Sequence, residues 1–378
     1  MKRYISALLA VMLTVSMLFA FGGCGKNNYD LVLITDSGQV TDRGYNQSVW
    51  EGMCAYCVEK NIDCRYFVPS GSDTESLLVS LRGAADDGAK TIVAAGSCFE
   101  EAVLIAAKEY PDVKFILLDG KPKDRNTPFP MIPVNLASVT FSSEQSGYLA
   151  GYAAVSDGFT KIGVMYGLPT DDISAYTYGF LQGAENAAAL LGAGVEVTYH
   201  CTGDTLENDA NEQTATLMYA GGTELIFACG GALEKSVIKA AEKEKGYVIG
   251  SDTDKRYDSS YVVTTAYKDL SQAVVRVLRS IYDTKDFESG FGGKTTMFGA
   301  AENCTGLPKS VFNDSNGDPF DRFMRFTKSA YDAEFSKVAD GTVQIKRTVT
   351  VAEDNVYPTE QELTSGLGLF NVHVIVMQ

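Results

Sequence analysis

Acidic residues stand directly after several short apolar runs of this 378-residue chain, and a lysine follows another. Asp36 follows Leu31–Thr35, Asp119 follows Lys114–Leu118, Asp252 and Asp254 follow Tyr247–Ser251, and Lys268 follows Tyr261–Ala266. A carboxylate accepts two hydrogen bonds from a vicinal diol, the signature of a ribose. An ammonium balances such acids and donates to a sugar oxygen. Hydrogen bonds to charged groups contribute about 1.5–3 kcal/mol each, enough to set specificity. One acid at a strand end is more often a helix cap; four at corresponding places of two half-chains point to a ligand. Tyr45 offers an aromatic face and a hydroxyl, or else packs the start of a helix. Asn46 and Gln47 are caps or amide partners for the edge of a planar base. Gly230-Gly231, after the run ending at Cys229, lets backbone N–H groups approach a ligand. Neither a GxxxxGK[ST] loop nor a GxGxxG turn after a strand is present, so no cofactor is expected. The acids are dispersed and His residues number two, so no catalytic set and no metal set is expected either.

Cys54 and Cys57 form a CxxC. A redox pair belongs at a helix N-terminus, where the thiolate is stabilised, whereas this pair falls about two turns into a helix. A zinc site requires further ligands, and the sequence has no second CxxC. The cysteines therefore read as small packing residues, with a disulfide from this pair to Cys64 or Cys98 left open.

The elements that position these residues alternate. Strands are expected at 31–35, 64–68, 91–95 and 114–118, with helices at 45–60, 74–87 and 99–109 between them. The helical spacing of Leu77, Leu78, Leu81 and Ala84 supports the second helix. An extended segment at 132–141 and a helix at 143–156 read as a crossing, after which the alternation resumes from Lys161 to Ser251. Such repeats give parallel sheets covered by helices on both faces. The fold class expected is α/β, two doubly wound lobes joined by a hinge, with ligands outside the carboxyl ends of the strands. The first lobe is expected at 28–135 plus about 262–300, and the second at 136–261 plus about 301–350, including a helix at 321–339 and a strand at 342–347. Residues 351–378 form a tail without a placement.

The first 24 residues read as an export signal: Lys2 and Arg3, an uncharged apolar run to Phe21, then Phe21-Gly22-Gly23-Cys24. Small residues ahead of Cys24 suit a lipobox, with Cys24 acylated and the chain anchored on the extracytoplasmic face of the membrane. A formal charge of −16 argues against nucleic acid as a partner.

The segment from Ile34 to Gly52, with Asp36-Ser37-Gly38 and Gly44-Tyr45-Asn46-Gln47, resembles the opening motif of the basic membrane protein family, the nucleoside-binding lipoproteins of bacterial ABC importers. Glu144 to Gly151, Lys161-Ile162-Gly163-Val164, Gly179 to Gly183, Gly250 to Asp254 and Thr265 to Lys268 are similar to its later motifs. The resemblance implies a type I two-lobed binding fold and a nucleoside ligand, often a purine nucleoside, with an ABC permease and ATPase as partners. It places Asp36, Tyr45 and Asp119 against the base, and Gly230, Asp252 and Lys268 against the ribose. The family supplies a second aromatic after the strand matching Val195–Cys201, but Thr202 to Asp209 contain none. Either Tyr176 or Tyr178 replaces it or the sandwich is one-sided, which leaves a pyrimidine or another ligand open. A binding protein without chemistry of its own is the function expected. The alternatives are an exported nucleoside-processing enzyme and a ligand-sensing lipoprotein with the same cleft.

Overall fold

In the computed structural model, residues 30–36, 38–311, 316–353 and 355–377 are described. The export signal and Cys24 lie outside them. Strands β1 (Leu31–Ile34), β3 (Thr91–Ala95), β4 (Lys114–Leu118) and β5 (Leu136–Phe141) are apolar runs buried almost throughout. Strands read this way when both faces of a parallel sheet are covered. With β2 (Cys64–Phe67) and β11 (Lys294–Phe298) they form a six-stranded parallel sheet in the order β11-β5-β4-β3-β1-β2. The pleat sends alternate side chains to opposite cores. Leu31 and Leu33 pack with Val49, Met53, Val274 and Val277 of helices α1 (Tyr45–Lys60) and α8 (Leu270–Tyr282). Val32 and Ile34 pack with Leu77, Leu81, Val103 and Ala106 of helices α2 (Thr74–Asp86) and α3 (Glu100–Glu109).

The second sheet has seven strands, ordered β12-β10-β9-β8-β6-β7-β13. These are β6 (Lys161–Tyr166), β7 (Val195–Cys201), β8 (Leu225–Cys229), β9 (Tyr247–Asp252), β10 (Val262–Lys268), β12 (Thr305–Gly306) and β13 (Val372–Met377). All neighbours are parallel except β12, which runs antiparallel to β10. Helices α4 (Ser143–Asp157) and α5 (Asp171–Leu191) cover one face; α6 (Asp209–Ala220) and α7 (Leu233–Glu244) cover the other. A short α9 (Phe287–Gly290) precedes β11, and α10 (Lys328–Ala339) and α11 (Glu360–Leu367) follow β12.

The lobe boundaries differ from those expected. Leu136–Phe141 does not open the second lobe: it is buried on both faces and pairs with β4 in the first sheet. Val262–Lys268 does not return to the first lobe but pairs with β9. The return begins one residue later, where Asp269 accepts from the Gln272 N–H and caps α8. The chain thus changes lobes after Phe141, after Lys268 and after Phe298. The helix expected at 321–339 starts at Lys328, capped by Thr327, and residues 342–347 form no strand. The C-terminal segment has a definite place, as β13 extends the second sheet beside β7.

Helices α4 and α5 approach backbone to backbone. A methyl group on Gly147 or Gly151 would lie 2.0 Å from the carbonyl oxygen of Tyr176 or Phe180, and one on Gly179 or Gly183 would lie 2.0 or 1.9 Å from that of Glu144 or Tyr148. Four glycines, two on each helix at a spacing of four, therefore let the helices touch along one stripe. That contact sets the N-terminus of α5 beside that of α4, and both face the cleft. Overpacking a rigid contact costs about 1–3 kcal/mol. Gly151→Ala is expected to destabilise the protein by at least ~2 kcal/mol in urea unfolding. Gly83→Ala, at an exposed site in α2 with open space around it, is expected to stabilise by about 0.5–1 kcal/mol.

Candidate functional site

The loop after β1 folds around the Asn46 side chain, which is buried at the start of α1. Its Nδ2 donates to Asp36 Oδ1 at 2.7 Å and to Asp42 Oδ2 at 2.8 Å, and its Oδ1 accepts from the Asp36 N–H at 3.3 Å. Asp42 takes over the capping of α1, accepting from the N–H groups of Gly44 and Gln47. Tyr45 is then fixed as the first residue of the helix, and its hydroxyl donates to Asp119 Oδ2 at 2.5 Å.

Asp119 and Asp252 are not helix caps. Each sits at a strand end with a left-handed backbone, φ 54° and 65°. Side chains adopt that conformation at a cost, and such strain gathers at binding sites. The turn aims both carboxylates at Lys268, the last residue of β10. Its Nζ lies 2.8 Å from Asp119 Oδ2, 2.7 Å from Asp172 Oδ2 and 3.1 Å from Asp252 Oδ1. The Lys268 side chain is only 1% exposed. The Tyr176 hydroxyl donates to Asp252 Oδ1 at 3.1 Å, and the rings of Tyr176 and Phe141 lie 5.2 and 5.7 Å from the ammonium. Asp119 belongs to the first sheet and the other three to the second lobe, so this cluster closes the cleft between them.

Burial by itself pulls the Lys268 pKa down, but Asp119, Asp172 and Asp252 together overcome it and hold the ammonium well above its ordinary value. Burial pushes Asp119 up more than Lys268 pulls it down, with Asp172 and Asp252 adding to the rise. Burial also raises Asp172, but Lys268, Ser143 and Arg347 outweigh it and bring the carboxyl below its usual range. Burial, followed by the Asp119 charge, puts the Tyr45 phenol well above its usual value, so it stays a donor. Oxygens of the three acids lie within 4.8 Å of one another. That spacing would suit a cation, and the ammonium is the cation that already stands there.

The structure thus brings together Tyr45, Asp119, Tyr176, Asp252 and Lys268. Asp36 and Asn46 shape the loop beside them. Gly230 lies beyond β8 with φ 126°, where an added methyl would stand 3.0 Å from the Gly167 nitrogen. Asp254 is not in the cluster. Its carboxylate accepts from the Arg256 N–H, and the residue lines an adjacent cavity of about 560 Å³ with Arg43, Gly44, Tyr267 and Asp269. Tyr178 is buried in the second-lobe core.

Asp172 is not among the expected site residues because it stands at no strand end; Thr170 accepts from the Ile173 N–H and starts α5 at Asp171. Thr followed by two acids is a helix-start signal. The CxxC cysteines, Cys64 and Cys98 are free thiols. Burial and contact with Cys64 push Cys54 up to about 12, while a hydrogen bond from Cys57 holds Cys64 down to about 7.

A family model described as "Bmp: ABC transporter substrate-binding protein PnrA-like" matches residues 30–339. A Lactococcus lactis subsp. cremoris protein described as "ABC transporter nucleoside-binding protein BmpA" is 27% identical over 315 residues, which span 75% of this chain and 86% of that protein. "Basic membrane protein A" of Borreliella burgdorferi is 29% identical over 294 residues, 76% and 82% of the two chains. An ABC transporter solute-binding protein from Aeropyrum pernix K1 superposes with a TM-score of 0.66 at 17% identity, covering 90% of this chain and 98% of that one. Another from Conexibacter woesei gives 0.64 at 21%, covering 84% and 99%. These likenesses establish the type I binding-protein fold.

Removing one partner of a buried ion cluster leaves the rest uncompensated, at a cost of about 3–5 kcal/mol. Lys268→Met is expected to cost about 3 kcal/mol at pH 7, the low end because Asp172 and Asp252 keep some contact with water. Without the ammonium, the three carboxylates take up protons more readily folded than unfolded. The deficit relative to wild type should therefore shrink as the pH falls from 7 toward 4.5, measured by urea unfolding at each pH.

Proposed function

This chain belongs to the family of PnrA-like ABC transporter substrate-binding proteins, and from that premise we propose that it binds a purine nucleoside between its lobes and delivers it to a membrane permease. It is a binding protein, not an enzyme. The observation that carries the ligand class is the cluster of Lys268 with Asp119, Asp172 and Asp252 at the ends of strands from both sheets. A ribose diol offers two donors to Asp252, and Lys268 donates to a sugar oxygen. Asp119 and the Tyr45 ring serve the base, with Asp36 and Asn46 holding the loop that carries Tyr45. Gly230 offers backbone beside the sugar. Tyr176 is fully buried, with its ring against Phe227 and the Lys268 ammonium, whereas Tyr45 is half-buried, which favours Tyr45 as the single stacking face.

The name of the Lactococcus relative supports the nucleoside assignment. Cys24 would carry the lipid anchor that holds the binding lobes on the extracytoplasmic face, near the permease and its ATPase. Among the described residues no helix is long and apolar enough to cross a membrane, in keeping with anchoring from the N-terminus.

The test is a thermal-shift screen of the chain after residue 24 against nucleosides, free bases, sugars and amino acids. A ligand at about 100 times its Kd adds about 2.7 kcal/mol of stability. A shift with ribonucleosides is expected, and a shift confined to another class would discard the assignment. Asp252→Ala should weaken nucleoside binding at least ~30-fold by calorimetry, since a diol contact to a carboxylate is worth about 2 kcal/mol or more. 2′-Deoxynucleosides should bind more weakly than ribonucleosides, because the missing hydroxyl leaves a buried acceptor unpaired.

A further inference from the structure

Arg347 lies beyond residue 339, where the family match ends, yet its guanidinium reaches the cleft. One nitrogen donates to the Phe141 carbonyl at 3.2 Å and pairs with the Glu144 carboxylate; the other lies 3.5 Å from Asp172 Oδ1. All three partners adjoin the central cluster. Phe141 and Glu144 flank the first lobe crossing, the Phe141 ring lies 5.7 Å from the Lys268 ammonium, and Asp172 accepts from that ammonium. The segment bearing Arg347 is itself held in place. The Gln182 side chain donates to the Lys346 carbonyl and accepts from the Lys346 N–H, each at 2.9 Å, while Val343, Ile345 and Val349 pack on the second-lobe core. Packing alone would fasten this segment to α5. The arginine head goes further, to a backbone carbonyl at the end of the first sheet and two acids of the second lobe.

We propose that Arg347 is a positioning residue of the ligand cleft, fixing Asp172 and the Phe141–Glu144 crossing in the arrangement that receives the ligand. The segment after residue 339 is then part of the binding machinery. The planar fork of an arginine holds acceptors in several directions at once, whereas a lysine keeps only the charge. Asp172 faces Lys268, Arg347, Asp119, Asp252, Glu144 and Tyr176, with Asp171 beside it on its own helix and Lys121 3.9 Å from Asp171. Removing Arg347 leaves one buried ammonium among four carboxylates.

The binding arm of the test rests on the nucleoside assignment and the second arm does not. Arg347→Met and Arg347→Lys, in the chain after residue 24, are titrated with adenosine and guanosine from pH 8 to pH 5. Arg347→Met is expected to bind about tenfold more weakly at pH 7, with the deficit growing toward pH 5; Arg347→Lys should recover the pH profile and part of the affinity. In ligand-free protein, the carboxyl carbon resonance of Asp172, assigned through Asp172→Asn, should titrate at higher pH in Arg347→Met and return toward wild type in Arg347→Lys. An Asp172 midpoint unchanged in Arg347→Met overturns the proposal, as does a variant that melts earlier but keeps wild-type affinity and pH dependence. A midpoint displaced in Arg347→Met, together with wild-type protein that binds neither nucleoside, would reject the nucleoside assignment and leave the role of Arg347 standing.

Discussion

One buried ammonium organises this molecule. Lys268 ends β10 of the second sheet, almost wholly out of water, and is bound by carboxylates from both lobes. A buried charge is tolerated only when it is paired and hydrogen-bonded, so the surrounding backbone must deliver acids to within about 3 Å of one point. The strand ends do this at Asp119 and Asp252 through left-handed turns. Asp172 comes by another route. It sits on the first turn of α5, and that turn reaches the cleft because four glycines let α5 lie directly against α4. The glycine stripe and the charged cluster are therefore one design: a side chain in the stripe would push Asp172 away from Lys268.

The sequence made the first lobe legible because its strands are short apolar runs with polar ends, and its helices have spaced apolar faces. It also marked Asp119, Asp252 and Lys268 as site candidates, since acids and a lysine after apolar runs stand out, and Tyr45 as the aromatic of the first loop, while Tyr176 entered, with Tyr178, only as a replacement for the second aromatic that the family resemblance implies. Three things were not legible. Leu136–Phe141 looked like a crossing because Pro133 precedes it, but strand pairing is long-range and only the sheet shows which side it joins. Asp172 follows no apolar run directly and so was not marked; the Thr170 cap is what puts it on the first turn of α5. Asp254 looked equivalent to Asp252, yet its carboxylate is spent on the Arg256 N–H two residues on. A spacing of two would put both acids on one face of a continuing strand, but the strand ends at Asp252, whose left-handed backbone turns the chain before Asp254.

The C-terminal segment shows the same limit more sharply. The alternating burial of Val372, His373, Val374 and Ile375 is that of an edge strand with one face on the core. Which strand it joins depends on β7, some 170 residues earlier. Nothing local links Arg347 to Asp172 either. Both associations come from the packing of α5, which carries Asp172 at its start, holds Gln182 against Lys346 along its length, and supplies Glu185 to the backbone of Phe370, Asn371 and Val372.

A cluster that is satisfied without ligand constrains any ligand it accepts. Lys268, Tyr45 and Tyr176 already donate to the acids, so an incoming molecule gains only the difference between its hydrogen bonds and those it displaces. A monofunctional alcohol would exchange one bond for another at little net gain. A ligand with two adjacent hydroxyls can occupy Asp252 while leaving Lys268 its other carboxylates, and a flat heterocycle can take the Tyr45 face and release its hydroxyl from Asp119. Selectivity on this view comes from the cost of disturbing a closed network. Of the three carboxylates on Lys268, Asp172 and Asp252 come from its own lobe and Asp119 alone comes from the other.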